Sequence, residues 1–212
     1  MIIYAETNFL LEIAYQQDGC ESCREILALA RQGKLALVVP AFSLVEARQT
    51  WVRRSSEHNA LQNQLQPIIR QLARSEPFRT VSESSRELLA ALAASGEGTR
   101  LRLEETIAAL SVDATVLPLA ADIAARARQE ELNLSLSPSD AVVYAAVISH
   151  LENALPGPKC FLNRDSKGFT NPSMANKLAT FGCKVIASFD NGLDFIRSEL
   201  SRGEAAPPLP GA

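Results

Sequence analysis

Glu6, Glu46, Asp140 and Asp165 each stand beside the end of an apolar run, in the stretches ETNFLLEIA, VVPAFSLVEA, SPSDAVVYAA and LNRDSKGF. Carboxylates can move protons, attack as nucleophiles or ligate a hard cation through oxygen. Each acid here also has a plainer explanation. Ser43 and Glu46 have the spacing of a capping box with Ser43 as N-cap. Ser137 and Asp140 repeat that spacing, with Pro138 at the first helical position. Glu6 reads as a turn residue, and Asp165 as a loop carboxylate beside Asn163, Arg164 and Lys167. Taken singly, the acids cap helices or face solvent.

The elements that must position them change that reading. MIIYA, LALVV, TVLPL, CFLN and KVIASF read as strands, and helical patterns such as ESCREILALARQG, ending at Gly33, and ADIAARARQEEL lie between them. Such alternation indicates an α/β domain with a mainly parallel sheet and right-handed crossovers. Glu6 and Asp165 follow strands, so they belong on the carboxyl edge of that sheet. Crossover helices run antiparallel to the strands, so Glu46 and Asp140, at helix starts, belong there too. Ligands of open α/β sheets bind at that edge, at a switch point in strand order. The helix behind Asp140, AVVYAAVI, is apolar nearly all round and is expected to be buried. Clustered carboxylates raise each other's pKa unless a cation sits among them. Oxygen ligands without His or Cys suit Mg²⁺ or Mn²⁺.

Composition narrows the function classes. A chain of 212 residues suits one domain, and 47% hydrophobic residues supply a core. Charges interrupt every apolar run, and no export signal is seen, so we expect a cytoplasmic protein with no membrane span. The four Cys are too few for a disulfide scaffold in a chain of this length. A formal net charge of -3 argues against a dedicated basic nucleic-acid coat, though not against an enzyme whose acidic centre is balanced by metal. Phosphate-cradling glycine loops and the serine elbow are absent. The two His, His58 and His150, stand apart from any Cys or acid pattern of ligand spacing. Cys20 and Cys23 form C-x-x-C. They read as a redox pair or as small residues on a first helical turn, and their place after a helix and a loop favours the second reading. Trp51, with Arg53 and Arg54, is suited to stacking on nucleic acid or to packing a helix face.

Residues 47–114 carry no strand pattern. Long amphipathic stretches there indicate a helical insertion on the α/β core, with turns expected at Glu76-Pro77 and at Gly96-Glu97-Gly98. The expected organisation is one domain over 1–201 and a disordered Pro-, Ala- and Gly-rich tail over 202–212.

In their order and spacing the four acidic stretches resemble the motifs of PIN-domain nucleases. The resemblance covers the α/β core at both ends of the chain, not the insertion. It implies a PIN-like parallel five-stranded sheet flanked by helices, and Mg²⁺- or Mn²⁺-dependent hydrolysis of single-stranded RNA. The family includes toxins of toxin–antitoxin pairs, which makes a small antitoxin protein a candidate partner. A second copy of the chain is another. Position by position, the resemblance implies Glu6, Glu46, Asp140 and Asp165 as the acidic quartet, with Glu6, Asp140 and Asp165 on a metal. Asn8, Ser139 and Asn163 are implied as polar supports, and Thr7 as a brace of the first turn. Arg48, Arg53, Arg54, Arg164 and Lys167 are candidate phosphate contacts. Two features depart from the family pattern: Glu6 replaces the usual Asp, and the insertion is large. The alternative is a catalytically silent PIN-like RNA- or protein-binding module whose acids are caps.

Overall fold

The computed structural model describes residues 1–164 and 172–205. The elements run β1 (Ile2–Ala5), α1 (Thr7–Tyr15), α2 (Cys20–Arg31), β2 (Ala36–Pro40), α3 (Ala41–Leu72), a 3₁₀ turn (Glu76–Phe78), α4 (Arg79–Asp113), β3 (Thr115–Leu117), α5 (Ala121–Leu134), α6 (Pro138–Leu151), β4 (Lys159–Leu162), α7 (Pro172–Thr180), β5 (Cys183–Ile186) and α8 (Phe189–Ala205). The five strands form one parallel sheet in the order β3-β2-β1-β4-β5. Every strand expected from an apolar run is present, shifted by one to three residues at one end or both.

Period-two alternation divides the core. Ile3, Ala5, Leu37, Val39, Cys160 and Leu162 face the layer built from α1, α2, α4 and α8. Tyr4, Val38, Phe161 and Cys183 face α5, α6 and α7. Both sheet faces are therefore covered, which is why the strands read as continuous apolar runs. Gly33 closes α2 with φ +69°, and its N–H reaches the Ala30 carbonyl at 2.8 Å. That left-handed step is cheap only for glycine.

The insertion is an outward extension of two core helices. α3 has 32 residues and α4 has 35, about 50 Å each at ~1.5 Å per residue. Ala47, Leu103 and Leu110 lie buried in the first core layer, and the Arg102 Nε donates to the Ala14 carbonyl at 2.8 Å. The turn expected at Glu76-Pro77 is the 3₁₀ segment. The turn expected at Gly96-Glu97-Gly98 is not there, because α4 runs through it. Glu97 and Glu104 grip Arg100 at 2.6 and 2.9 Å, and the Trp51 indole donates to the Gly96 carbonyl at 3.3 Å. Packing thus outweighs a helix cost of ~1 kcal/mol per glycine. Trp51 is partly buried against the core and spends its N–H between the two helices.

A Cβ at Gly96 would meet nothing within 4 Å. Gly96→Ala is therefore expected to stabilise the chain by up to ~1 kcal/mol, raising Tm by roughly 2–4 °C. A lower Tm in a thermal melt would contradict a continuous helix at this point.

At the C-terminal end, α8 extends to Ala205, four residues into the tail expected to be disordered from 202, and 206–212 lie outside the described residues. No helix among the described residues is long and apolar enough to cross a membrane.

Candidate functional site

β1 is the central strand, with β2 on one side and β4 on the other. The chain builds outward from β1 through β2 to β3, then returns to add β4 and β5 on its other side, which puts a switch point in strand order at the carboxyl end of β1. Glu6 is the first residue past β1. Its backbone is extended, and it serves as N-cap of α1, with Oε2 accepting from the Asn8 N–H at 2.8 Å. The cap uses one oxygen. The other, Oε1, is buried with no hydrogen-bond partner among the described residues, in a side chain only 5% exposed. Burial is the main cause that lifts the Glu6 pKa from 4.5 to about 8, against the Asn8 hydrogen bonds that lower it. The charges of Glu46 and Asp140 raise it further. Two of the other sequence-selected acids therefore act on Glu6.

Glu46 is held by Thr7, whose hydroxyl donates to Oε2. Thr7 is buried in the first turn of α1, so one short segment both carries Glu6 and braces Glu46. The capping box expected from Ser43 and Glu46 is not formed. β2 passes into α3 with no intervening loop, and the extended residue before the helix is Pro40, which gives no side-chain cap. Ser43 consequently lies inside the first turn, fully buried, with its Oγ unpartnered among the described residues. Its spacing from Glu46 puts both on one face of α3. Sequence reasoning missed this role because it took Ser43 for a cap.

Asp140 is placed as the sequence suggests. Ser135 adopts a left-handed conformation after α5, Ser137 caps α6, and Pro138 opens the helix. The Ser137 Oγ accepts from the Asp140 N–H at 3.1 Å and donates to Oδ2 at 2.7 Å. This cap orients a half-buried carboxylate at the positive end of the helix dipole. Ser139 is half-buried beside it.

Asn163 follows β4 at the same edge, buried, with its N–H on the Ile186 carbonyl at 3.1 Å. Asp165 and Lys167 lie outside the described residues. Arg164 is committed elsewhere. It pairs with Glu12, a carboxylate 1% exposed whose Oε2 also accepts from the Gly19 N–H at 2.9 Å. Arg164 also approaches Asp18 at 3.5 Å. Glu12 was visible in sequence only as a lone charge within FLLEIA.

The other candidate phosphate contacts divide. Arg53 pairs with Glu57 at 3.3 Å, and Arg54 lies over the Tyr15 ring at 4.9 Å. Arg48, two residues beyond Glu46, is exposed and has no ion pair among the described residues. His150 is remote from the acids, near the far end of α6, where its Nδ1 meets the Tyr4 hydroxyl at 2.8 Å. Cys20 and Cys23 are buried, and burial pushes both thiols up, which makes them unreactive.

The donor set at the strand mouth is all oxygen. It fits a hard divalent cation on one specific count: a buried carboxylate oxygen without a partner, next to two further carboxylates. Among the described residues no three His, Cys, Asp or Glu side chains stand together as a ready ligand set. Glu6, Glu46 and Asp140 are thus neighbours in charge without a closed cage. No protein-family model, curated protein or solved structure matches the chain.

Proposed function

We propose that this chain is a PIN-like endoribonuclease that uses Mg²⁺ or Mn²⁺ to hydrolyse phosphodiester bonds of single-stranded RNA. The observation that carries this reading is the unpartnered, buried Glu6 Oε1 at the central strand end, with Glu46 and Asp140 within electrostatic reach. A buried acid with this surrounding is costly unless it has a function or a counter-charge. The order of acidic motifs along the sequence supports the same reading.

A divalent ion, when bound, supplies Lewis-acid stabilisation of the phosphoryl oxygens and orients the reacting water. The chain's own residues do the rest. Glu6 and Asp140 would hold the ion, each with one oxygen already fixed, by Asn8 N–H and by Ser137 Oγ. Asp165 would join them from the segment after Asn163. Thr7 fixes one oxygen of Glu46, and in this reading the second would accept a proton or a water hydrogen bond. Glu6 is one methylene longer than Asp, so it reaches past the strand end. Mn²⁺ tolerates such a geometry better than Mg²⁺, which demands near-ideal octahedral ligation.

One observation favours the alternative, a catalytically silent RNA- or protein-binding module: the Ser137 hydrogen bonds give Asp140 a complete structural role as part of a cap. A cleavage assay separates the two. RNA and DNA of one sequence are incubated with the protein in Mn²⁺, Mg²⁺ or EDTA. The expected result is RNA cleavage, faster with Mn²⁺ than with Mg²⁺ and absent in EDTA, with DNA spared. RNA that stays intact under all three conditions would support the silent module.

A further inference from the structure

We infer that the helical hairpin carries an anion site, remote from the acids, that grips the phosphate backbone of a long RNA strand. The site is a groove of about 300 Å³ between α3 and α4, lined by Gln62, Gln66, Arg70, Arg86 and, on its apolar side, Ile69 and Leu89. Ile69 and Leu89 are buried and form its floor, while Arg70 and Arg86 are exposed. No carboxylate lines it.

Charge pairing marks this groove as a place where two unpaired arginines meet, whereas Arg48, Arg54, Arg102 and Arg128, also outside the ion pairs among the described residues, do not line it. Arg24, Arg31, Arg53, Arg79, Arg100, Arg126, Arg164, Arg197 and Arg202 are all in ion pairs. Arg70 and Arg86 have no ion pair among the described residues, although Glu83 and Glu87 lie close to Arg86 in sequence. Arg70 is instead steadied by the Gln66 carboxamide at 3.2 Å. Arg74 follows one turn after Arg70 and is also exposed and without an ion pair among the described residues. Two guanidinium forks on facing helices, with carboxamides beside them, match the bidentate geometry of phosphate oxygens.

Position favours nucleic acid over an acidic protein. α3 is one continuous helix that begins beside the acid cluster and ends at the groove. At ~1.5 Å per residue, Arg70 lies about 36 Å from Glu46 along its axis. A stacked strand rising ~3.4 Å per nucleotide covers that span in about 11 nucleotides. RNA longer than this would touch both places, and shorter RNA only one. The inference rests on the ribonuclease reading for the identity of the polyanion.

The test is fluorescence anisotropy in EDTA with labelled single-stranded RNA of about 6 and about 20 nucleotides, below and above the span. The wild type is expected to bind the longer RNA at least ~10-fold more tightly, with a steeper salt dependence. In the double variant Arg70→Gln/Arg86→Gln that advantage should vanish, and the salt slope for the longer RNA should fall by roughly 1.4, about 0.7 per lost phosphate contact. Both side chains are exposed, so the fold is kept. Arg70→Lys/Arg86→Lys, which keeps the charge, should retain most of the slope. Equal wild-type affinity for both lengths would overturn the groove, as would a double variant that behaves like wild type, or polyglutamate competing as well as RNA. Binding is read without divalent ions. A wild type that shows the length dependence but never cleaves would therefore sink the nuclease reading and leave the groove standing.

Discussion

Asp140→Asn is expected to lower Mn²⁺-supported RNA cleavage by at least ~100-fold, the scale on which removal of one charged group from a preorganised centre is felt. The fold should survive. Asn has the same shape, its carbonyl oxygen can still accept the Ser137 hydroxyl, and the backbone half of the cap, Asp140 N–H to Ser137 Oγ, does not involve the side chain. What is lost is one negative charge at a helix N-terminus, worth ~0.3–1 kcal/mol, or a few degrees in Tm at most. Cap and metal ligand therefore give opposite expectations for this substitution. A pure cap would leave cleavage as it was. Cleavage rates and a thermal melt of the same preparation distinguish the two.

Glu6→Gln is expected to do the reverse to stability, raising the Tm of the metal-free protein at pH 8. The sign follows from the displaced pKa, which rises from 4.5 to about 8 on folding. Below about pH 4.5 the carboxyl is protonated in folded and unfolded chains alike, and its contribution to stability is fully present. Between 4.5 and about 8 the folded chain holds a proton that the unfolded chain has released, so stability falls as pH rises. At about pH 8 half of the folded molecules carry the charge in a buried site. Each pKa unit is worth ~1.4 kcal/mol, and even half of the displacement amounts to about 2 kcal/mol, on the order of 5 °C for a chain of this size. Glutamine carries no charge, yet its carbonyl can still cap Asn8 and its amide can face Glu46 and Asp140. The variant should be more stable than wild type at pH 8 and nearly equal to it near pH 4.5. A variant less stable than wild type at pH 8 would mean that Glu6 is a well-solvated cap.

Much of the architecture could be read from the chain because the central strands β1, β2 and β4 are apolar and buried on both faces. The carboxyl-edge placement of Glu6, Glu46 and Asp140 followed from topology alone. The differences between sequence and structure come from contacts made in the fold, some between elements and some, such as Arg53–Glu57 and the Arg100 pairs, within one helix. Ser43 has the residue type of a cap, but β2 enters α3 through Pro40 and leaves it no cap to make. Gly96 and Gly98 have the composition of a turn, but α4 is held straight by Trp51 and by the Arg100 pairs. Arg164 looked available for phosphate because its partner, Glu12, lies on another element. Arg53 and Arg54 were the obvious basic pair, yet Glu57 and Tyr15 engage them. Arg70 and Arg86 were not visible as a pair because only the hairpin turn brings them to one groove.

The central claim is that the carboxylates at the end of β1 bind a divalent cation through Glu6. Calorimetric titration of Mn²⁺ into the wild type and into Glu6→Gln at neutral pH tests it most directly, since it reads binding without any assumption about the RNA target. The expected result is saturable uptake by the wild type and its loss in the variant, whose fold the thermal melt verifies. Equal Mn²⁺ affinity in both proteins would contradict the claim and leave the carboxylate at the strand mouth as a helix cap.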